Sequence, residues 1–197
     1  MQERSLETRA RVLGCAAKLF ARKGYEATGV AEICSRSRVS KGAFYHHFPS
    51  KQSLFIELLK EWLQGIDRGL GEALSSSKSV PRALVAMAGQ MKGVFSAADG
   101  SVRLFLEFWQ QAQRDPRVWK EFIAPYRRYQ EYFAKIIQKG IHEGSIRAVD
   151  PQAAGRTLVA LAVGMLVQGV VDPEAAEWDA ATVDAVKMLI AGMERGR

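Results

Sequence analysis

Apolar positions along the chain recur every three to four residues over long stretches, and no stretch alternates apolar and polar residues between turns as a strand would. Val12, Leu13, Ala16, Ala17, Leu19 and Phe20 fall on one face of a helix from about Ser5 to Arg22, which Gly24 ends. A short second helix follows over 29–37, with Thr28 as its cap and Val30, Ile33 and Cys34 facing inward. Ser40 caps a third helix reaching Phe48, in which Phe44 and Phe48 lie one turn apart and form the inward stripe. Pro49 closes it, and Ser50 caps a long fourth helix to about Leu74. Beyond the loop "SSSKSVP", helical stretches are predicted at about 81–97, 101–114, 116–143, 150–171 and 179–194, with Asp-Pro pairs marking starts. Pro125 predicts a kink or a break within 116–143.

Composition adds little to this picture, and charge adds more. Of 197 residues, 48% are hydrophobic and 25% charged, an ordinary globular balance. Cys15 and Cys34 share no CxxC spacing and read as free thiols of a reducing compartment. The N-terminus carries no signal-peptide pattern, and the apolar run Thr157–Val171 is shorter than the roughly 18 residues expected of a membrane span. A soluble, cytoplasmic protein is expected. Residues 1–51 hold ten basic and four acidic side chains, so +6 of the chain's +7 sits in its first quarter. That asymmetry fits a polyanion partner for one end of the molecule; a merely solvated basic surface has the same count.

The stretch "VSKGAFYHHFPSK", Val39 to Lys51, separates these readings. A core helix would not keep Lys41, His46 and His47, and a plain surface helix has no use for Gly42, which costs about 1 kcal/mol against alanine. Two short helices joined by a brief turn, the second presenting polar groups, match a helix-turn-helix. Lys41 can donate to guanine O6 and N7, Gly42 lets the backbone approach base edges, and Ala43 can touch a thymine methyl. Tyr45, His46, His47 and Lys51 can donate to phosphate oxygens, and Thr28 can serve as both cap and phosphate contact. Plain surface polar residues are the alternative reading of His46 and His47. They do not make a metal site, because neighbouring helical residues diverge by 100° and no third ligand lies nearby.

"TGVAEICSRSRVSKGAFYHHFPSKQSLF", with "ARKGYEAT" before it, resembles the DNA-binding signature of the tetracycline-repressor (TetR) family over about Ser5 to Leu59. The resemblance implies an all-α fold: an N-terminal three-helix helix-turn-helix domain, 1–51, joined by a long helix to a helical effector-binding and dimerisation domain, 52–197, with about nine helices in total. It implies a homodimeric regulator, usually a repressor, that binds two-fold symmetric operator DNA and is released by a small molecule. Carried over by position, Lys41, Gly42 and Ala43 match base-contacting places, and Val30, Ser40, Tyr45, His46, His47 and Lys51 match places near the DNA backbone. Arg38 departs from the pattern by standing where a glycine is common in the turn, and Cys34 stands in place of an alanine.

The remaining helices carry the other expectations. "TLVALAVGMLVQGVV" is apolar nearly all round and needs partners on every side. With the last helix it predicts a two-fold seam of Val159, Val163, Leu166, Val170, Val186, Leu189, Ile190 and Met193; a buried central helix in a monomer is the alternative. Met87, Met91, Phe105, Phe108, Trp109, Tyr126, Tyr129 and Met165 are candidates for an apolar effector pocket, and each also suits plain core. Glu107 falls on a stripe with Arg103, Gln110 and Arg114 that reads as a solvated face. "DPRVWKEFIAPYRRYQ" and "EGSIRAVDP" are similar to the C-terminal domains of regulators grouped with the choline-responsive repressor. No HExxH, P-loop, GxGxxG or GxSxG pattern is present, so neither an enzyme nor a cofactor is expected. A sequence-tolerant binder of nucleic acid or membrane surfaces is the reading that competes with a site-specific regulator.

Overall fold

The structure, a computed structural model, describes residues 2–90 and 101–194, leaving aside the side chains of 2–4, 101–103 and 105. Among the described residues are nine helices: α1 (Gln2–Lys23), α2 (Val30–Ser37), α3 (Lys41–His47), α4 (Lys51–Ser76), α5 (Val80–Gly89), α6 (Ser101–Arg114), α7 (Pro116–His142), α8 (Pro151–Val171) and α9 (Trp178–Ala191). The one β feature described is an isolated bridge between Ile146 and Glu194.

The helix ends follow from local chemistry. Gly24 takes a left-handed φ of 85° and its N–H closes α1 on the Phe20 carbonyl at 2.8 Å. Ser40 accepts from the Ala43 N–H at 3.1 Å to start α3. Ser50 and Ser53 cap α4 reciprocally, each hydroxyl accepting the other's N–H at 3.0 Å, a capping box with serine in the usual Glu position. Asp115 and Asp150 accept from Arg117 and Gln152 N–H at 2.7 and 2.8 Å, each followed by a proline that opens a helix. Asp172-Pro173 is the exception, because it forms a turn and α9 begins only at Trp178. Glu143 supplies a tertiary cap: its carboxylate accepts the Val80 N–H at 3.0 Å, and that bond is the main cause holding its pKa below the usual carboxylate value. Pro125 does not break α7, which runs through it. The part of the predicted 81–97 helix beyond Gln90 lies outside the described residues.

Thr28 is a correction. The cap of α2 is Gly29, and the Thr28 hydroxyl instead donates to the Gly24 carbonyl at 2.8 Å, with the residue wholly buried.

Contacts divide the chain into two compact units. One holds α1–α3, α4 through Leu63, α6, and α7 through Phe122; the other holds the rest of α4 and α7 with α5, α8 and α9. This differs from a division after Lys51. Leu54, Phe55, Leu58 and Leu59 of α4 are buried, and Phe55 packs edge-on against Phe20 of α1 at 5.4 Å. Phe108 of α6 then lies against Phe55 at 4.1 Å between ring centres.

In the second unit Leu70, Val80, Leu84, Met87, Ile136, Ile137, Ala154, Leu158, Val186 and Ile190 belong to one core. The α8 helix passes for a membrane span by length and composition, against the expectation from its apolar run, with a mean hydropathy of 1.7 in its most apolar window. A buried core helix has the same composition, and Ala154 and Leu158 place one side of α8 in this core.

Candidate nucleic-acid interface

The α3 helix separates its residues by face. Phe44 and Phe48 are buried at 0% and 1% exposure, with ring centres 5.8 Å apart, and they anchor the helix. Lys41, Gly42, Tyr45 and His46 are exposed, at positions i, i+1, i+4 and i+5 of one surface; Ala43 and His47 are half-buried at its edges. The exposed Ser40 and half-buried Val30 stand at the starts of α3 and α2. Among the described residues Lys41, Arg36 and Arg38 form no ion pair, whereas other cations of the basic segment are engaged internally. Arg9 bonds Glu57 and Glu61, Lys23 bonds Glu32, and Arg11 donates to the Ser37 carbonyl at the end of α2.

A Cβ placed on Gly42 would meet only the Ser40 hydroxyl oxygen, at 3.8 Å. Nothing within the described chain asks for a glycine here. Beside the exposed Lys41 and Tyr45, it leaves the helix backbone bare on the polar face of α3.

Arg38 ends α2 with φ 54° and ψ 47°, and its N–H and that of Val39 close on the Ser35 and Cys34 carbonyls at 3.3 and 3.0 Å. The turn that other sequences make with glycine is therefore made here by arginine in the same left-handed conformation. A side chain costs about 1–2 kcal/mol there, partly offset because glycine loses more freedom on folding. Arg38→Gly is thus expected to stabilise the chain by roughly 0.5–1 kcal/mol in urea unfolding. An unchanged or lower midpoint would mean that the arginine side chain makes compensating contacts.

Lys51 and Thr28 differ from their expected roles. The Lys51 ammonium donates to the Tyr25 and Thr28 carbonyls at 2.9 and 3.2 Å and sits 4.1 Å from the centre of the Tyr25 ring. It fastens the α1–α2 loop, leaving at most a remaining N–H for an external anion. Thr28 offers no free donor, since its N–H also bonds, to Tyr25, at 3.2 Å.

Glu107 is not on a solvated face. It is half-buried and accepts the Tyr25 N–H at 2.7 Å, while Gln111, 7% exposed, donates to Glu26 at 3.1 Å. The polar stripe of α6 is therefore Glu107–Gln111, extended by Asp115 beyond the helix end, where Gln52 donates to it. An i, i+4, i+8 reading of "EFWQQAQRD" would have found it.

The pocket candidates do not gather. Phe108 is core of the first unit, and Trp109, 45% exposed, meets Phe122 edge-on in that same unit. Met87 and Met165 are buried in the second unit, where Tyr126 and Tyr129 are half-buried. Met91 and the side chain of Phe105 lie outside the described residues. Tyr129 alone of the eight lines a described cleft, of about 270 Å³, with Asp67, Leu70, Gly71, Arg128 and Tyr132. Its hydroxyl donates to Asp67 at 2.8 Å, and burial first, then Asp67, pushes its pKa well up. Arg128 bonds both Asp67 oxygens at 3.0 and 2.9 Å.

The seam candidates also need correcting. Val159, Leu166, Val186, Ile190 and Met193 are each 7% exposed or less, covered within the protomer. Only Val163, Val170 and Leu189 of the eight remain half-exposed. The face of α9 chosen from its periodicity is the one packed inward; Met188, 77% exposed, is on the outside.

Two family models account for most of the chain. The one described as "Bacterial regulatory proteins, tetR family" matches residues 12–58, and "BetI-type transcriptional repressor, C-terminal" matches residues 91–192. The chain belongs to the TetR family. It is a transcriptional regulator with a DNA-binding domain, not an enzyme. Among relatives of this TetR-family chain, the HTH-type transcriptional regulator UidR of Escherichia coli K12 is 23% identical over 194 residues, 98% of this chain and 96% of its own. A putative transcriptional regulator from Saccharomonospora viridis in complex with choline has a TM-score of 0.83 at 24% identity, covering 96% of this chain and 99% of its own. FadR of Bacillus subtilis in complex with stearoyl-CoA has a TM-score of 0.82 at 19% identity, over 94% and 99%. These two structural likenesses are of fold. The match at residues 12–58 spans α2, α3 and the exposed surface around Gly42.

Proposed function

We propose that this TetR-family regulator is a cytoplasmic homodimeric repressor that reads a two-fold symmetric operator with α3 and leaves it when a small, largely apolar effector binds the second unit. The observation that carries the DNA reading is the bare backbone at Gly42, between exposed Lys41 and half-buried Ala43. Lys41 and the backbone at Gly42 meet base edges, with Ala43 beside them; Val30, Ser40, Tyr45, His46 and His47 lie along the sugar-phosphate backbone. Lys51 contributes chiefly by holding the loop before α2.

Dimerisation uses the outer face of α8, where Val163 and Val170 are half-buried and Val167 and Val171 are 38% and 78% exposed. An apolar stripe of this kind is costly to leave in water and suits an isologous contact with its own copy. The effector site is the cleft at Tyr129 and Asp67. Asp67 is already neutralised by Arg128, so the cleft favours a ligand without net charge, and the Tyr132 hydroxyl, buried with no hydrogen-bond partner among the described residues, offers it a polar anchor. The choline and stearoyl-CoA bound by two neighbours of like fold support a ligand-responsive second unit without naming its ligand.

The test is selection from random duplexes with purified protein at about 150 mM salt, followed by sedimentation of the selected complex. The expected result is an inverted repeat bound roughly a thousandfold better than scrambled DNA, with its half-sites one helical turn or a multiple apart. Enrichment of no sequence would replace this reading with sequence-tolerant binding, and one protomer per site would remove the dimer.

A further inference from the structure

We propose that Glu107 of α6 is a positioning residue for DNA binding: it sets the affinity of α3 for DNA by fixing the α1–α2 loop from a helix that itself touches no base. The inference rests on α3 being the DNA-reading helix.

The loop between Gly24 and Gly29 is short, and α2 begins directly after it. Tyr25 is held at both ends of its backbone. Its N–H donates to Glu107 Oε2 at 2.7 Å, and its carbonyl accepts from Lys51 Nζ at 2.9 Å. The ring is wedged between Phe20 and Phe55, at 5.4 and 4.5 Å between centres. Gly24 makes room for the carboxylate: a Cβ there would stand 3.2 Å from Glu107 Oε1. One turn further along α6, buried Gln111 holds Glu26, and Asp115 takes the Gln52 amide at the start of α4. Two positions of one α6 stripe, with Asp115 just beyond the helix end, therefore grip the element before α2 and the one after α3. All of these residues belong to one compact unit.

Held in this way, the loop gives α2, and α3 after it, a single starting point. Without Glu107 the Tyr25 N–H loses its acceptor and the loop samples other arrangements, only a fraction of which fit α3 to a groove. Apparent affinity falls in proportion to the competent fraction. The sign of the effect is diagnostic. Glu107 is an anion, so removing it by a purely electrostatic route would strengthen binding to DNA.

The experiment measures affinity for the selected duplex at fixed salt, with thermal midpoints, for wild type, Glu107→Ala, Glu107→Gln, Glu107→Asp and the exposed Gln110→Ala. Glu107→Ala should bind roughly tenfold more weakly or worse, a coupling of ordinary size. Glu107→Gln keeps the reach and an acceptor oxygen while losing the charge, and should restore affinity to within about threefold of wild type, since only a neutral acceptor is needed. Glu107→Asp keeps the charge, loses a methylene of reach, and should bind like the alanine variant. Gln110→Ala should match wild type. Should Glu107→Ala fail to fold, the Gln and Asp variants decide alone. Wild-type affinity in Glu107→Asp, or equal losses in Gln and Asp, would overturn the role of Glu107. Failure of the wild type to bind any duplex selectively would instead remove the reading beneath it.

Discussion

Gly155→Ala is expected to cost about 3 kcal/mol of folding stability, the upper end of what overpacking usually does. A Cβ on Gly155 would stand 2.6 Å from the Gln130 carbonyl oxygen and 2.8 Å from the Ala134 nitrogen. Both are backbone atoms of α7, so no side chain can swing aside. Relief requires α8 to move away from α7, which would loosen Ala154 and Leu158 from the second unit's core. For a chain of this size the loss corresponds to a fall in thermal midpoint of roughly 6–12 °C. The control is Gly14→Ala in the middle of α1, where an added Cβ meets nothing within 4 Å. There alanine should stabilise by up to about 1 kcal/mol through helix propensity alone. If Gly155→Ala lowers the midpoint by less than a degree or two, α8 does not approach α7 this closely.

The contrast between those two glycines marks what a sequence can and cannot tell. Helix ends were legible because their causes are local: Ser40, Ser50, Asp115 and Asp150 reach N–H groups only two or three residues away. The inward placement of Phe44 and Phe48 was legible because one helical turn relates them. Thr28 misled because it precedes α2 as a cap would, whereas its hydroxyl donates to the Gly24 carbonyl one turn behind it rather than accepting from an N–H ahead. Glu107 and Lys51 escaped because their partners lie 82 and 26 residues away, and a long polar side chain reads the same on a solvated face as on a half-buried one. That Val186, Ile190 and Met193 are covered within the chain itself was hidden for a related reason. Periodicity reveals that a helix has an apolar stripe, not whether its own chain or a second copy covers it. Gly155 shows the same limit: a glycine in an apolar helix permits close approach, but only the structure shows that the helix it approaches is α7 of the same chain.

At Gly42 the chain's own preference and that of its ligand should point in opposite directions. Gly42→Ala puts a methyl group into open space, 3.8 Å from the nearest atom, the Ser40 hydroxyl oxygen. Folding stability should rise by roughly 0.5 kcal/mol, because alanine is the better helix former. Affinity for the selected duplex should nevertheless drop at least about tenfold, since the methyl group stands where the backbone of α3 meets base edges and a close polar interface does not tolerate misfit. Lys41→Ala, one residue earlier on the same exposed turn, should cost about 1–3 kcal/mol of discrimination at its base position, or roughly 5- to 150-fold. The two substitutions fail differently. Lys41→Ala removes a cation and should flatten the salt dependence of whatever binding is left, whereas Gly42→Ala leaves the charge intact and should preserve the slope. A stability gain at Gly42 accompanied by undiminished affinity would mean that the glycine is kept for no contact with DNA, and α3 would lose the strongest argument that it is the reading helix. A stability gain with lost affinity is hard to obtain in any other way, because a variant that folds better than wild type cannot owe its failure to unfolding.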